Sequence, residues 1–302
     1  MLKYSTNKLF VNFRIILRIT IFAKKQRVMY KGFELSIQDN FWTEDYFDKL
    51  LANGKKRYEA KKTVVETKIK SFTSKNGNLD GSKMQEDWFP QVSADIFISH
   101  SHADENVAIC LSQWLYERFG LETFVDSCIW GYANDLLKEI DNEYCRPDKN
   151  NKPNSYSYEN RNYSTSHVHM MLSTALSMMI DKVECLFFLN TPNSILPSDS
   201  ISKTYSPWIY YEIAATKYIQ KKERSDYRVH GGIELFSDGG SILLEKAERT
   251  IPIDYTLDIE HLTKIPRGAL IKWGKFWPYD TPYDSNYVHA LDILYAITSK
   301  QV

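Results

Sequence analysis

Two hydrophobic patterns alternate along the C-terminal two thirds of the chain. Short, nearly continuous apolar runs cover residues 95–98, 121–125 and 183–189, and the longer segments between them carry apolar residues every three or four positions. The short runs are typical of buried strands, and the longer segments are typical of helices that pack on a sheet. This alternation predicts a doubly wound parallel α/β fold, in which ligands bind beyond the carboxyl ends of the strands.

Capping residues indicate where several of these helices begin and end. Ser101 and Asp104 have the spacing of a capping box, and Gly120 is placed to end the helix that follows them. Ser166 is predicted to begin a Met-rich helix, and Ser206, which a proline follows, is predicted to begin another.

The sequence also predicts a loop, a further strand and a last helix around these segments. Residues 146–164 are rich in Asn, Pro, Tyr, Ser and Lys, which is the composition of an inserted loop. A further strand is predicted at 251–255, and Ser285 is predicted to cap a last helix.

The N-terminal third has a different organisation. Residues 41–72 carry apolar side chains at helical spacing in a Lys/Glu-rich background, and residues 73–83 have loop composition. These patterns divide the chain into a basic segment at 1–31, a helical extension with a linker at 32–91, and the α/β domain at 92–302.

The N-terminal segment differs from the rest of the chain in its charge. The chain has 38 Lys and Arg residues against 38 Asp and Glu residues, but the first 31 residues contain eight basic residues and no acidic residue. The balanced total argues against a general nucleic-acid or anionic-membrane binder. The remaining 271 residues carry 30 basic against 38 acidic side chains, so the globular part is mildly acidic.

The apolar run at 9–23 leaves two interpretations open. Arg14 and Arg18 interrupt it, and it is too short to span a membrane or to serve as a good signal peptide. The run is either a basic amphipathic helix that touches a membrane or a partner, or a segment upstream of a start at Met29, which we favour. We expect a cytoplasmic protein without a membrane span.

The cysteines favour a reducing compartment. Four of them are spread along the chain without a C-x-x-C motif: Cys110, Cys128, Cys145 and Cys185. Their spacing predicts buried free thiols, and we expect neither a disulfide framework nor a zinc site.

Three sequence motifs carry a family resemblance. D-I-F-I-S-H-S-H-A-D at 95–104, F-V-D at 124–126 with Gly131 after it, and S-P-W-I-Y-Y-E at 206–212 stand in this order on the predicted elements. Together they resemble the signature segments of Toll/interleukin-1 receptor (TIR) domains, and the last one is similar to the S-x-W-C-x-x-E segment of enzymatic TIR domains. The resemblance implies a flavodoxin-like fold for residues 92–302 and assigns no counterpart to residues 1–91.

The resemblance also implies an activity. Enzymatic TIR domains cleave the nicotinamide–ribose bond of NAD+, and the family pattern implies Glu212 as the catalytic carboxylate. A stand-alone chain of this kind is similar to Thoeris-like antiphage proteins, which implies a cyclic or modified ADP-ribose product that signals to a separate effector protein. It further implies homo-oligomers on activation and no cofactor, with NAD+ as the substrate. Ile209 in place of the usual cysteine, and a loop after Asp126 without the R-D-x-x-P-G form, depart from the pattern.

Five further residues are candidates for substrate binding. Ser99 and Ser101 follow the first predicted strand, where hydroxyl groups could hold a ribose or phosphate, although Ser101 also fits a helix cap. Asp126 could accept a hydrogen bond from a ribose hydroxyl or simply open a turn. Trp130 could stack on an aromatic ring or pack on the domain. Trp208 lies one turn before the catalytic carboxylate and can position it.

Alternative functions are kept open. A TIR-like interaction module would catalyse nothing, and a nucleoside deoxyribosyltransferase-like N-glycosidase would use a carboxylate on nucleosides. Two H-x-H pairs, His100 with His102 and His167 with His169, suggest a third possibility, a metal site with Asp104 or Asp126. Because the second pair is predicted on a helix, where such residues diverge, metal binding is the weakest alternative.

Overall fold

A computed structural model describes about two thirds of the chain. The described residues are 31–37, 41–60, 69–130, 133–146, 155–196, 202–219, 221–222, 227, 253–277 and 289–298. The predictions for residues 1–30, Gly131 and Ser285 therefore lie outside the described residues.

The described part is an α/β fold around a parallel sheet of five strands, which confirms the predicted fold class. The sheet has the order β3-β2-β4-β1-β7, and β5 pairs with β6 in a separate antiparallel ribbon. The strands are β1 Lys31–Leu35, β2 Ile96–Ser99, β3 Thr123–Phe124, β4 Cys185–Leu189, β5 Lys203–Thr204, β6 Tyr255–Thr256 and β7 Thr263–Ile265.

The sheet is covered by helices on its faces. They are α1 Glu44–Glu59, α2 Gly81–Trp88, α3 Glu105–Phe119, α4 Asp126–Ile129, α5 Ala133–Tyr144, α6 Tyr158–Lys182, α7 Pro207–Tyr218, α8 Arg267–Phe276 and α9 Ala290–Thr298, with 3-10 turns at Ile69–Phe72 and His102–Asp104. The core strands β2 and β4 are buried along their whole length, as strands covered on both faces should be.

The position of β1 was not predicted. A flavodoxin-like sheet has the order 2-1-3-4-5, and here β1 stands in the fourth place, although it comes first in the chain. It pairs in parallel with β4 from Lys31 opposite Cys185 to Leu35 opposite Leu189, and with β7 on its other side. Residues assigned from sequence to an N-terminal segment and extension therefore contribute a strand to the sheet.

Two predicted caps are confirmed by their geometry. Gly120 ends α3 in the left-handed conformation with φ 69°, which only glycine adopts without strain. The Ser206 hydroxyl oxygen accepts a hydrogen bond from the Ile209 amide at 3.2 Å and so begins α7.

Two other predicted caps differ in the structure. Ser101 stands at the N-cap position of the 3-10 turn His102–Asp104, but its side chain makes no capping hydrogen bond, and the Asp104 side chain accepts hydrogen bonds from Thr191 and Asn193 in the loop after β4. Ser166 lies inside α6 and donates to the carbonyl of Tyr163, which serine does readily within a helix.

The boundaries of three other segments also change. Helix α6 begins at Tyr158, capped by Ser157, so the predicted loop ends before residue 158 rather than at 164. Strand β3 covers only Thr123–Phe124. The strand predicted at 251–255 is Tyr255–Thr256, and it pairs with β5 outside the main sheet.

The four cysteines are free and buried, as predicted. No helix in the described part of the chain is long and apolar enough to cross a bilayer.

Candidate active site

Three side chains from separate elements meet at the carboxyl edge of the sheet. Ser99 is the last residue of β2, Asp126 begins α4 just after β3, and Glu212 lies in the second turn of α7. Strand β2 lies between β3 and β4 in the sheet. The chain therefore runs from β2 to β3 on one side and then crosses to form β4 on the other side of β2. This is the switch point at which doubly wound sheets bind ligands.

Glu212 is the most perturbed acid of the site. Only 3% of the residue is exposed, and no ion pair to it is present among the described residues. Burial raises the pKa of Glu212 well above its usual range, and the neighbouring charge of Asp126 raises it further. Ser99 acts in the opposite direction on this pKa, since its hydroxyl lies beside the carboxyl group.

Ser99 leaves hydrogen-bonding capacity in the site. The residue is 1% exposed, and its hydroxyl lies beside the Glu212 carboxyl group without completing a well-aligned hydrogen bond to any described group. A buried hydroxyl that is incompletely paired is costly, so a ligand or a small shift of Glu212 can complete the bond here.

A cavity of about 190 Å³ opens at Asp126, whereas Ser99 and Glu212 are not among the residues that line it. It is smaller than the roughly 300–1,000 Å³ of pockets that enclose a drug-sized ligand, so it fits a ring-sized group. Apolar and aromatic side chains form most of its walls, with Asp126 and several uncharged polar groups between them. The lining residues are His102, Asp126, Ser127, Trp130, Ala133, Asn134, His169, Leu172, Leu176, Pro207 and Trp208.

The two tryptophans of the cavity are held differently. Trp130 is 3% exposed, donates its indole N–H to the Pro90 carbonyl at 2.8 Å and packs edge-on against Phe124. It therefore packs on the domain and offers the cavity little surface. Trp208 is half-buried and meets the His169 ring edge to face at 5.5 Å between centroids. Burial lowers the pKa of His169, so this imidazole is neutral at pH 7.

The predicted residues are brought together with one exception. Ser99, Asp126 and Glu212 form the polar centre, and Trp208 and Trp130 line the cavity beside it. The exception is Ser101, which neither belongs to this polar centre nor lines the cavity; Ser99 and Glu212 belong to the centre but are also not among the lining residues.

The histidine pairs do not form the metal site considered from sequence. His102 and His169 line the cavity, but among the described residues no group of three or more His, Cys, Asp or Glu side chains is arranged to hold a metal ion. Asp104, one of the two carboxylates considered for such a site, accepts hydrogen bonds from Thr191 and Asn193 in the loop after β4.

Sequence reasoning missed the contribution of α6. His169, Leu172 and Leu176 form one wall of the cavity, and the Met-rich spacing that surrounds them indicates only a core-facing helix. Helix α7 is joined to α6 by Tyr211, which donates its hydroxyl to the Ser173 carbonyl at 3.0 Å.

Comparison with models of known protein families, with curated proteins and with solved structures gives no match. The function therefore has to be inferred from the residues of the site.

Replacement of Glu212 by glutamine should stabilise the folded protein at alkaline pH. An unfolded chain releases the Glu212 proton near pH 4.5, whereas the folded chain holds it to a higher pH, so stability is lost as pH rises between these two values. Glutamine carries no such charge. We expect the melting temperature of E212Q to exceed that of the unchanged protein by at least about 2 °C at pH 8 and by less at pH 5, measured by calorimetry. An equal difference at both pH values would contradict a raised Glu212 pKa.

Proposed function

We propose that this chain is a TIR-type enzyme that cleaves the nicotinamide–ribose bond of NAD+. The observation that carries the proposal is the Glu212 carboxyl group, buried beside Ser99 and Asp126 at the carboxyl edge of a parallel sheet, where Asp126 in turn lines a ring-sized cavity. The family motifs at 95–104, 124–126 and 206–212 supply the residues that form this centre.

The chemistry requires a negative charge near the ribose. As the bond between ribose C1′ and the nicotinamide nitrogen breaks, its electron pair goes to nitrogen, and positive charge develops on the sugar. An ionised Glu212 stabilises that charge. Nicotinamide leaves as a neutral molecule, so no general acid is needed, and one carboxylate suffices where most glycosidases use two.

Binding of the cationic substrate favours ionisation of Glu212, the carboxyl group on which bond cleavage depends. Without a ligand, Asp126 and burial favour the protonated form of Glu212. A pyridinium ring in the cavity places a positive charge near both carboxyl groups, which favours loss of the Glu212 proton. The aromatic edge of Trp208 and the apolar walls contact the flat ring.

The cavity also suggests how the rest of the substrate is placed. A volume of about 190 Å³ holds the nicotinamide end, and the remaining adenosine diphosphate lies outside it, on the surface or against a second copy of the chain. Attack of water on C1′ gives ADP-ribose, and attack of a nitrogen or hydroxyl group of the same molecule gives a cyclic product. We propose that such a product acts as a signal to a separate effector in antiphage defence.

Mass spectrometry of NAD+ incubated with concentrated protein tests the proposal. We expect free nicotinamide together with an ADP-ribose species, whose mass and retention identify hydrolysis, cyclisation or conjugation. Parallel incubation with 2′-deoxynucleosides tests the N-glycosidase alternative, which predicts release of a free base with intact NAD+. If neither substrate is consumed, even in lysate from phage-infected cells, the interaction module is the better explanation.

A further inference from the structure

His100 is a buried histidine at the base of the candidate site. It belongs to the H-x-H pair that suggested a metal ligand, but the fold separates the pair, since His102 is exposed at the cavity and only 2% of the His100 side chain is exposed. His100 follows directly after β2 and therefore stands next to Ser99 in the chain.

The contacts of the His100 ring indicate where its proton lies. Nδ1 lies 3.3 Å from the carbonyl oxygen of Ile98, and Nε2 lies 3.4 Å from the hydroxyl oxygen of Ser127. Because a carbonyl oxygen can only accept, Nδ1 is the donor. A neutral ring in this tautomer accepts the Ser127 hydroxyl proton at Nε2.

Nδ1 also approaches the carboxylate of Asp126. It lies 4.0 Å from Asp126 Oδ1, which is beyond hydrogen-bond distance but within range of electrostatic attraction. Asp126 Oδ1 accepts a hydrogen bond at 2.8 Å from the Ser127 amide, which lies in the same short helix. The His100 ring therefore lies between the end of β2 and the pair formed by Asp126 and Ser127.

We propose that His100 is a positioning residue of this site: through the contact of Nε2 with Ser127 and the electrostatic approach of Nδ1 to Asp126, the ring holds the start of α4 against the end of β2 and thereby keeps the Asp126 carboxylate beside Glu212. The catalytic consequence rests on the proposed function, whereas the arrangement of the ring can be measured without it. A site of this kind depends on such support because a displacement of about 1 Å in a catalytic group can cost about 100-fold in rate.

Two substitutions at position 100 separate positioning from folding. In H100N the amide nitrogen can replace Nδ1–H, and in H100L both polar contacts are lost while the volume is kept. For NAD+ cleavage we expect H100L to lower kcat by at least about 10-fold with little change in KM, and H100N to recover kcat to within about 3-fold of the unchanged protein. His167→Leu, on the exposed side of α6 and away from the cavity, is the matched control. Unchanged kcat in H100L would overturn the proposal.

Nitrogen NMR of the histidine rings in the full chain tests the geometry independently of catalysis. We expect His100 to be protonated at Nδ1 and unprotonated at Nε2, and its resonances to shift in D126N but not in E139Q, an exposed carboxylate of α5. Protonation at Nε2 would overturn the arrangement. If the unchanged protein cleaves no NAD+, the proposed function fails, and the NMR result still decides whether His100 holds Asp126.

Discussion

Glu212→Gln should lower the rate of NAD+ cleavage by at least about 100-fold, which is the usual effect of removing one group that stabilises charge in a transition state. Glutamine keeps the size of the side chain, and its amide oxygen can still accept from the Ser99 hydroxyl, so the position of the group is preserved. It cannot carry the negative charge that opposes the positive charge on the ribose. The loss should therefore appear in kcat, with a smaller change in KM.

The same substitution at an exposed site provides the control. Glu139 lies on the exposed face of α5, and Glu139→Gln should cleave NAD+ at the normal rate. Nicotinamide release is measured for all three proteins by chromatography, and circular dichroism checks that each is folded. A folded E212Q protein that still consumes NAD+ at a near-normal rate would exclude Glu212 as the essential carboxylate.

The residues of this centre could be predicted because short local signals place them. A buried apolar run ends at Ser99, another ends just before Asp126, and a serine followed by proline begins the helix that carries Glu212. Parallel strands end at one edge of a sheet, so Ser99 and Asp126 had to lie near each other, whereas the helix of Glu212 follows the separate ribbon of β5 and β6 and its place was implied only by the family resemblance. The raised pKa of Glu212 could not be predicted, since it depends on burial and on the approach of Asp126.

Other parts of the site have no local signal. His100 looks like a metal ligand by spacing, and its role becomes visible only when Asp126 and Ser127 are seen beside it. His169 belongs to a Met-rich helix whose pattern indicates a packing face and gives no sign of which residues border a cavity.

Strand β1 shows most clearly where local patterns fail. Its five residues include a lysine, a glycine and a glutamate, and only Phe33 and Leu35 form a buried apolar pair. Glu34 is 6% exposed and is tolerated because the Asn190 amide donates to it at 2.7 Å, across about 150 residues of sequence. A strand that is stabilised by such distant partners cannot be recognised from its own hydrophobic periodicity.

A fragment that contains only residues 92–302, the α/β domain predicted from sequence, should fail to fold cooperatively. Removal of β1 separates β4 from β7 and leaves one edge of each strand without hydrogen-bond partners in the middle of the sheet. It also removes Phe33 and Leu35, both fully buried, and a cavity of that size in the core costs several kcal/mol, a large part of the roughly 5–15 kcal/mol that stabilises a domain.

Comparison of three fragments of different length distinguishes the contribution of β1 from that of α1, the helix that follows it. Residues 29–302 keep every described element and should unfold in a single thermal transition. Residues 38–302 lack β1 but keep α1. We expect this fragment to show no cooperative transition in circular dichroism, as we expect for 92–302. The reason is that β1 stands between β4 and β7, whereas the retained α1 packs on α3 and cannot replace it. A cooperative transition in 38–302 together with its absence in 92–302 would mean that α1, not β1, is the indispensable element. Cooperative unfolding of 92–302 with unchanged NAD+ cleavage would instead show that the α/β domain is complete without the strand, as the sequence motifs alone predict.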